Sequence, residues 1–369
     1  MAETPKLSYT ALTTYEKCPE RFRREKVEKE SGINLPKDYF LIGRLAHKIV
    51  EHILTGQDKE TAYQKALPEF LENLGFSKEA LDDGLYNQIR RYGWEYGSLL
   101  HRAAPCYHNA ADRIRKKDGT VLSDPHNYPN KDLREEYEGN DLDVDKHDID
   151  TVIGRRYQYY TFISLADCVA LGTAYAMNFE HPDWVERTES VELDCSAVEK
   201  LGSEEWRFAA YADWVVRVDP TQLDLDWEAP ENPLAMLDFK SGKKPPTHTE
   251  VMWNPQLNFY CLFYYANFGE MPKYVGIYHL PTGKPYLAEL SQTIMDRIVD
   301  HYGAVADNIA AKQFPKRFPT QFNSPCVERS FKTQQVTGIC PFLPDCWPEF
   351  YEDLSDEPLV QSINQVLNE

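Results

Sequence analysis

Leu234 to Lys244, LAMLDFKSGKK, places Asp238 and Lys240 two residues apart at the end of an apolar run that reads as a buried strand. Side chains two apart on a strand share a face, so a carboxylate and an ammonium leave the sheet on the same side. The carboxylate can hold a divalent cation. The ammonium can orient or deprotonate a water and offset charge on a phosphate. Alone, such a pair is more often a solvated salt bridge. Upstream, Arg207 to Val218, RFAAYADWVVRV, reads as a second strand carrying Asp213 among apolar neighbours. The Pro-rich Asp219 to Pro233 joins the two strands as a hairpin that would bring Asp213 beside Asp238. Downstream, Pro255 to Tyr265 reads as a helix with Gln256 and Tyr260 four apart on one face.

Two further groups of residues could bind metal. Tyr39 to Leu54 has a helical period, with Leu41, Leu45, Ile49 and Ile53 on one stripe and His47 off it, near Gly43 and Ala46. A lone helical His is more often structural than a ligand. Leu7 to Arg24 opens on Ser8 as an N-cap and carries Leu12, Tyr15 and Phe22 at near-helical spacing, with Pro19 kinking the helix just after Cys18. Near the other end, Cys326, Cys340 and Cys346 lie in a segment that Pro341 and Pro344 force into turns, which is poor core material. With Cys18 they make four thiolates, the number that a 4Fe-4S cluster or a tetrahedral zinc needs. Cys106, Cys168, Cys195 and Cys261 lack such partners and read as structural.

The remaining elements must position these groups. Asp58 to Leu74 and Lys78 to Arg102 read as helices. In the second, Gln88, Arg90, Arg91, Tyr92, Trp94 and Tyr96 suit either stacking on unpaired bases or a core-packing stripe. Pro105 to Asp150 is a polar insertion whose composition argues for mobility, as a lid or simply a loop. Helical character returns over Gly154 to Phe179. Val191 to Leu193 begins a sheet in which Glu192 could be an outer member of a metal site. Tyr274 to His279 and Lys284 to Leu290 read as strands, and Ile294 to Lys312 as a helix.

The chain has 369 residues, 42% hydrophobic and 13% aromatic, the composition of a folded protein. No apolar run approaches a membrane span and no signal pattern opens the chain, which leads us to expect a soluble, cytoplasmic protein without a membrane partner. Eight Cys without a secretory signal argue against a disulfide scaffold. The net charge of −19 runs against nucleic-acid binding, yet basic clusters persist at Arg21, Arg23, Arg24 and Lys26, at Arg113 to Lys117, and at Lys240, Lys243 and Lys244. A basic channel in an acidic body would concentrate the field where a strand runs, although any one such cluster is more often ordinary solvated charge.

Together, Asp213, then Asp238-Phe239-Lys240 followed by Ser241-Gly242, then Gln256-x-x-x-Tyr260, resemble the PD-(D/E)XK nucleases. The resemblance is to their RecB-like exonuclease branch, which includes the AddB nuclease domain and CRISPR-associated and phage relatives. Gly43-x-x-x-His47 looks like that branch's first motif. Ser8-Tyr9-Thr10 and Tyr15-x-x-Cys18-Pro19 look like its N-terminal opening, and Cys340-x5-Cys346 like its last two cluster ligands. The chain departs from the pattern at Ala210, where relatives often have Gly, and at Cys326, thirteen intervening residues before Cys340.

The resemblance implies an α/β fold with a restriction-endonuclease-like mixed central sheet flanked by helices, a helical subdomain, and a Cys-rich clip joining the termini. It implies Mg²⁺ or Mn²⁺ held by Asp213, Asp238, the Phe239 backbone carbonyl and His47. Lys240 would position the attacking water, and Gln256 and Tyr260 would hold the scissile strand. Cys18, Cys326, Cys340 and Cys346 would hold a 4Fe-4S cluster, with zinc as the alternative. The expected substrate is DNA, single-stranded or with free ends, and a protein partner or a homo-oligomer is left open. On this reading residues 1–38 are an N-terminal segment with the first cluster Cys, and 39–185 a helical region including the insertion at about 105–150. The nuclease core is 186–312, and 313–369 is the Cys-rich segment and tail. Two rivals from other classes are a catalytically degenerate nucleic-acid-binding accessory subunit and a zinc-clipped structural protein.

Overall fold

The computed structural model describes residues 6–30, 32, 38–74, parts of 86–97, 165–223, 232–242, 244–319, 325–329, 336–357 and parts of 359–364. The insertion near 105–150, its basic cluster Arg113 to Lys117, Cys106 and Lys243 lie outside the described residues.

The N-terminal strand β1 (Lys6–Leu7) leads into α1 (Tyr9–Lys17), whose Ser8 hydroxyl accepts the Ala11 amide as an N-cap. Cys18 then takes an extended conformation and Pro19 starts α2 (Pro19–Phe22), so the expected kink is a full break. A π-helical turn follows over Arg23–Glu28. Next come α3 (Asp38–Leu54), α4 (Lys59–Asn73), capped by Asp58, and α5 (Leu165–Met177). The strands β2 (Val185–Asp194), β3 (Ala197–Leu201), β4 (Glu204–Phe208), β5 (Tyr211–Val218) and β6 (Leu234–Lys240) follow. A Thr247–Glu250 capping box starts α6 (His248–Met252). Asn254 caps and Pro255 starts α7 (Pro255–Phe268), which Gly269 ends in the left-handed region at φ 73°. The chain continues through β7 (Tyr274–His279), β8 (Lys284–Glu289), α8 (Gln292–Ala310), β9 (Val327–Arg329), β10 (Val336–Ile339), α9 (Leu343–Cys346) and α10 (Pro348–Glu352).

The central sheet has the order β2-β5-β6-β7-β8, antiparallel throughout except for the parallel β6–β7 pair. That pair needs a crossover, which α6 and α7 supply. A second mixed sheet, β1-β4-β3, has β1 parallel to β4, and β9 and β10 form a small antiparallel pair. Mixed sheets flanked by helices are the expected fold class.

Both faces of the central sheet are covered, which is why β6 and β7 read as nearly unbroken apolar runs. On β6, Ala235, Leu237 and Phe239 join one core with α3, α4 and α5, while Leu234 and Met236 join a second core with α1, α7 and α8. Asp238 and Lys240 continue the second alternation. The two cores explain the helical stripes: Leu45 and Ile49 of α3 are fully buried in the first. Trp94 packs against that core with its ring centroid 5.6 Å from Tyr63, so the core-packing reading holds for it. Gln88, Tyr92 and Tyr96 lie outside the described residues.

Two expectations change. Arg207 to Val218 is not one strand: β4 ends at Phe208 and β5 begins at Tyr211, in different sheets. The crossing is held by the Ala209 amide donating to the Leu7 carbonyl and the Cys195 amide donating to Ala210. The sheet also begins earlier than Val191, because β2 starts at Val185 and pairs with β5 as far as Val218.

Candidate functional site

The β5–β6 pairing sets Trp214 against Leu237, which puts Asp213 opposite Asp238 on the face shared with Val215 and Met236. Asp213 Oδ2 accepts the Phe239 amide at 2.8 Å. Burial, then the negative charge of Asp238, pushes the Asp213 carboxyl up to about 8, against the opposing pull of the Phe239 amide and Lys240. Asp238 is 3% exposed, and its Oδ2 lies 2.5 Å from Lys240 Nζ. That approach is off the direction a hydrogen bond requires, so among the described residues this buried oxygen has an ionic neighbour and no hydrogen-bond donor.

Lys240 also donates to Gln256 Oε1 at 3.2 Å, and Gln256 Nε2 donates to the Tyr260 hydroxyl at 2.8 Å. The two residues four apart on α7 thus form a relay ending on the lysine. Burial alone would lower the Lys240 pKa, but the charge of Asp238, with Asp213 behind, raises it. A raised pKa favours the ammonium form, which can orient a water and balance phosphate charge.

His47 reaches the same strand ends from α3. Its Nδ1 is 3.6 Å from Asp213 Oδ2, and its ring meets Phe239 edge-on at 5.7 Å. Burial lowers its pKa, with Asp238 opposing, so the ring is neutral and able to ligate. Gly43, one turn earlier, explains the approach: a Cβ there would stand 2.7 Å from Ser241 Oγ. Glu192 lies across the ladder from Asp213, between the Val191–Trp214 and Leu193–Ala212 pairs. It has φ 50°, rare for a non-glycine residue, and burial followed by the charges of Asp213 and Glu51 raises its pKa to about 7. Sequence reasoning missed Tyr9, whose phenol interacts electrostatically with Lys240 while its ring packs edge-on to Tyr302. It also missed His279, in register with Lys240 on β7. No spacing rule connects residues so far apart in the chain.

The four predicted cysteines come together as well. Cys18, Cys326, Cys340 and Cys346 line one cavity, with Arg21, Lys316 and Arg317 at its wall. The Cys340 amide donates to the Cys326 carbonyl at 2.8 Å, fixing two of them to each other. Burial pushes the Cys340 thiol up to about 12 and raises Cys346. Cys168 lies in the first core and Cys195 and Cys261 in the second.

Neither ligand set is preassembled. Among the described residues, no group of three or more His, Cys, Asp or Glu side chains is placed to hold a metal ion as it stands. At the carboxylates the physical reason is Lys240, whose ammonium sits against the Asp238 oxygen that a cation would take. At the cysteines the four side chains line a common cavity rather than converging on a point. The first basic cluster is also not a free surface. Arg21 pairs with Glu25 at 2.6 Å, Arg23 with Glu20 and Glu28, and Arg24 with Glu20, Glu30 and Asp345.

No helix among the described residues is long and apolar enough to cross a membrane. No curated protein matches the chain. A family model of the PD-(D/E)XK nuclease superfamily matches residues 6–142, a stretch that holds Cys18, Gly43 and His47 and ends before Asp213, Asp238 and Lys240, so over that N-terminal part the chain is similar to nucleases of that superfamily.

Proposed function

We propose that the chain is a metal-dependent DNA exonuclease that hydrolyses phosphodiester bonds from DNA ends and prefers single strands. The observation that carries this reading is the pair of facing carboxylates, half-buried Asp213 and buried Asp238, with Lys240 at the same strand end. Two carboxylates so close and so poorly solvated need positive charge, and Asp238 Oδ2 is a buried oxygen without a hydrogen-bond donor. The donor set, all oxygen apart from one imidazole, fits Mg²⁺ or Mn²⁺. Asp213, Asp238, the Phe239 carbonyl and His47 would hold the ion, which when bound supplies charge to the phosphoryl oxygens and acidifies a water.

The side chains do the rest. Lys240 orients the attacking water and balances charge on the phosphate, and Gln256, steadied by Tyr260, holds the strand beside it. The water oxygen forms the new bond to phosphorus as the opposite P–O bond breaks. The products are a phosphate monoester and a hydroxyl, with the water's proton passing to solvent and the leaving oxygen taking one up. Action from ends rests on the resemblance alone.

The same reading assigns Cys18, Cys326, Cys340 and Cys346 to one 4Fe-4S cluster, with zinc as the alternative. Their common cavity, edged by cations that would balance thiolate charge, supports it. Both assignments use the N-terminal part that the nuclease family model matches.

The test is digestion of end-labelled linear and closed circular single-stranded DNA with Mg²⁺ or Mn²⁺. Linear strands should shorten progressively and circles should survive. Cutting of circles at the same rate would make the enzyme an endonuclease, and no cleavage of either would overturn the nuclease reading.

A further inference from the structure

The turn after Lys240, described at Ser241 and Gly242, follows directly on the lysine and the Phe239 carbonyl at the end of β6. Gly242 has ordinary backbone angles and open space where a Cβ would go, so neither steric need nor packing fixes it. The hold comes from β7. His279, in register with Lys240, is 1% exposed, and its Nε2 stands 2.7 Å from the Gly242 carbonyl oxygen. Its Nδ1 is 2.8 Å from the hydroxyl of Thr282, in the 3₁₀ turn directly after β7.

A carbonyl can only accept, so Nε2 carries the proton. Burial holds the ring's pKa below its ordinary value, against the pull of the Gly242 carbonyl, so the ring is neutral and Nδ1 accepts from Thr282. The Gly242 carbonyl therefore selects the tautomer, and the Thr282 hydroxyl, which can donate or accept, fits the unprotonated Nδ1. The helix α3 also closes on this turn, where Gly43 abuts Ser241. The turn thus meets a hydrogen bond at Gly242 and a helix backbone at Ser241.

We propose that His279 is a positioning residue: through the Gly242 carbonyl it anchors the Ser241–Gly242 turn and so sets where Lys240 and the Phe239 carbonyl stand. The activity arm of its test rests on the nuclease reading above, and the second arm does not.

The full chain is prepared as wild type and with His279→Gln, whose amide can still donate to Gly242, and with His279→Asn, which is polar but too short to reach. Steady-state cleavage of labelled linear DNA is measured beside amide hydrogen exchange of the 239–244 segment. His279→Asn should lower kcat by roughly 10- to 100-fold, the usual cost of losing a supporting hydrogen bond at a metal site, with KM within about twofold. Exchange should quicken in 239–244 and not across β7, and His279→Gln should restore most of both. Wild-type kcat and exchange in His279→Asn would overturn the proposal. So would equal losses in both variants with faster exchange throughout β6 and β7, which would mark a packing role. If the wild type does not cleave DNA, the nuclease reading fails and exchange alone decides: local quickening in the Asn variant that Gln reverses upholds the anchor, and its absence overturns it.

Discussion

At the scale of single residues, Asp213 carries the clearest electrostatic consequence. Its folded carboxyl is held up to about 8, whereas an unfolded Asp titrates near ~4. Between those values the unfolded chain binds fewer protons than the folded one, so this group's contribution to stability is present at low pH and is lost as pH rises through the window. The metal-free protein should therefore lose melting temperature from about pH 5 to about pH 8 through this residue, and Asp213→Asn should flatten that part of the profile. Added Mg²⁺ should raise the wild-type melting temperature more at the upper end of the range than at the lower, if Asp213 helps to hold it. A pH profile identical in wild type and Asp213→Asn would contradict the assigned shift. Gly43 makes a second residue-scale test. Alanine there favours a helix by about 1 kcal/mol over glycine, yet its Cβ would press on Ser241. Gly43→Ala should keep or raise the melting temperature while lowering kcat, by roughly tenfold or more if the displacement reaches Lys240. Unchanged kcat would mean that the close approach does not set the site.

At the scale of elements, what could be read from the sequence followed from local rules. The stretch from Leu234 to Lys240 is a strand because its apolar run is buried on both faces, and Gln256 and Tyr260 meet because helical residues four apart do. The N-cap at Ser8 and the break at Cys18-Pro19 are written in residue types. The misreadings came from non-local pairing. Arg207 to Val218 alternates well enough for one strand, and only the partners, Leu7 on one side and Cys195 and Ser196 on the other, divide it between two sheets. The arginines of the Arg21 to Lys26 cluster pair with the acids interleaved among them, Glu20, Glu25, Glu28 and Glu30, which agrees with reading the cluster as ordinary solvated charge. Glu192 owes its place to a positive φ, and His279 to a parallel pairing, neither of which has a signature in spacing.

At the scale of the whole molecule, α1 links two sites. Its first residue, Tyr9, interacts with Lys240, and the cysteine just past its end lines the cavity with Cys326, Cys340 and Cys346. A metal centre there would tie residues about 300 apart and constrain the unfolded chain. Anaerobically purified protein should be brown if the centre is iron-sulfur. Cys18→Ala should lose the colour and several degrees of melting temperature. Stoichiometric zinc in a colourless protein would redirect the cofactor, and no metal at all would remove the clip.

The central claim is that Asp238 and Lys240, two apart on one buried strand, do the chemistry on a nucleic-acid phosphate. The most direct measurement is metal-dependent release of nucleotides from end-labelled DNA by wild type, Asp238→Ala and Lys240→Ala, with circular dichroism and DNA binding measured on the same preparations. Both variants should fold, bind DNA about as well as the wild type, and fall by at least ~10³-fold in rate, as expected when a charge group acting on the reacting phosphate is removed. Wild-type cleavage by either folded variant would contradict the account.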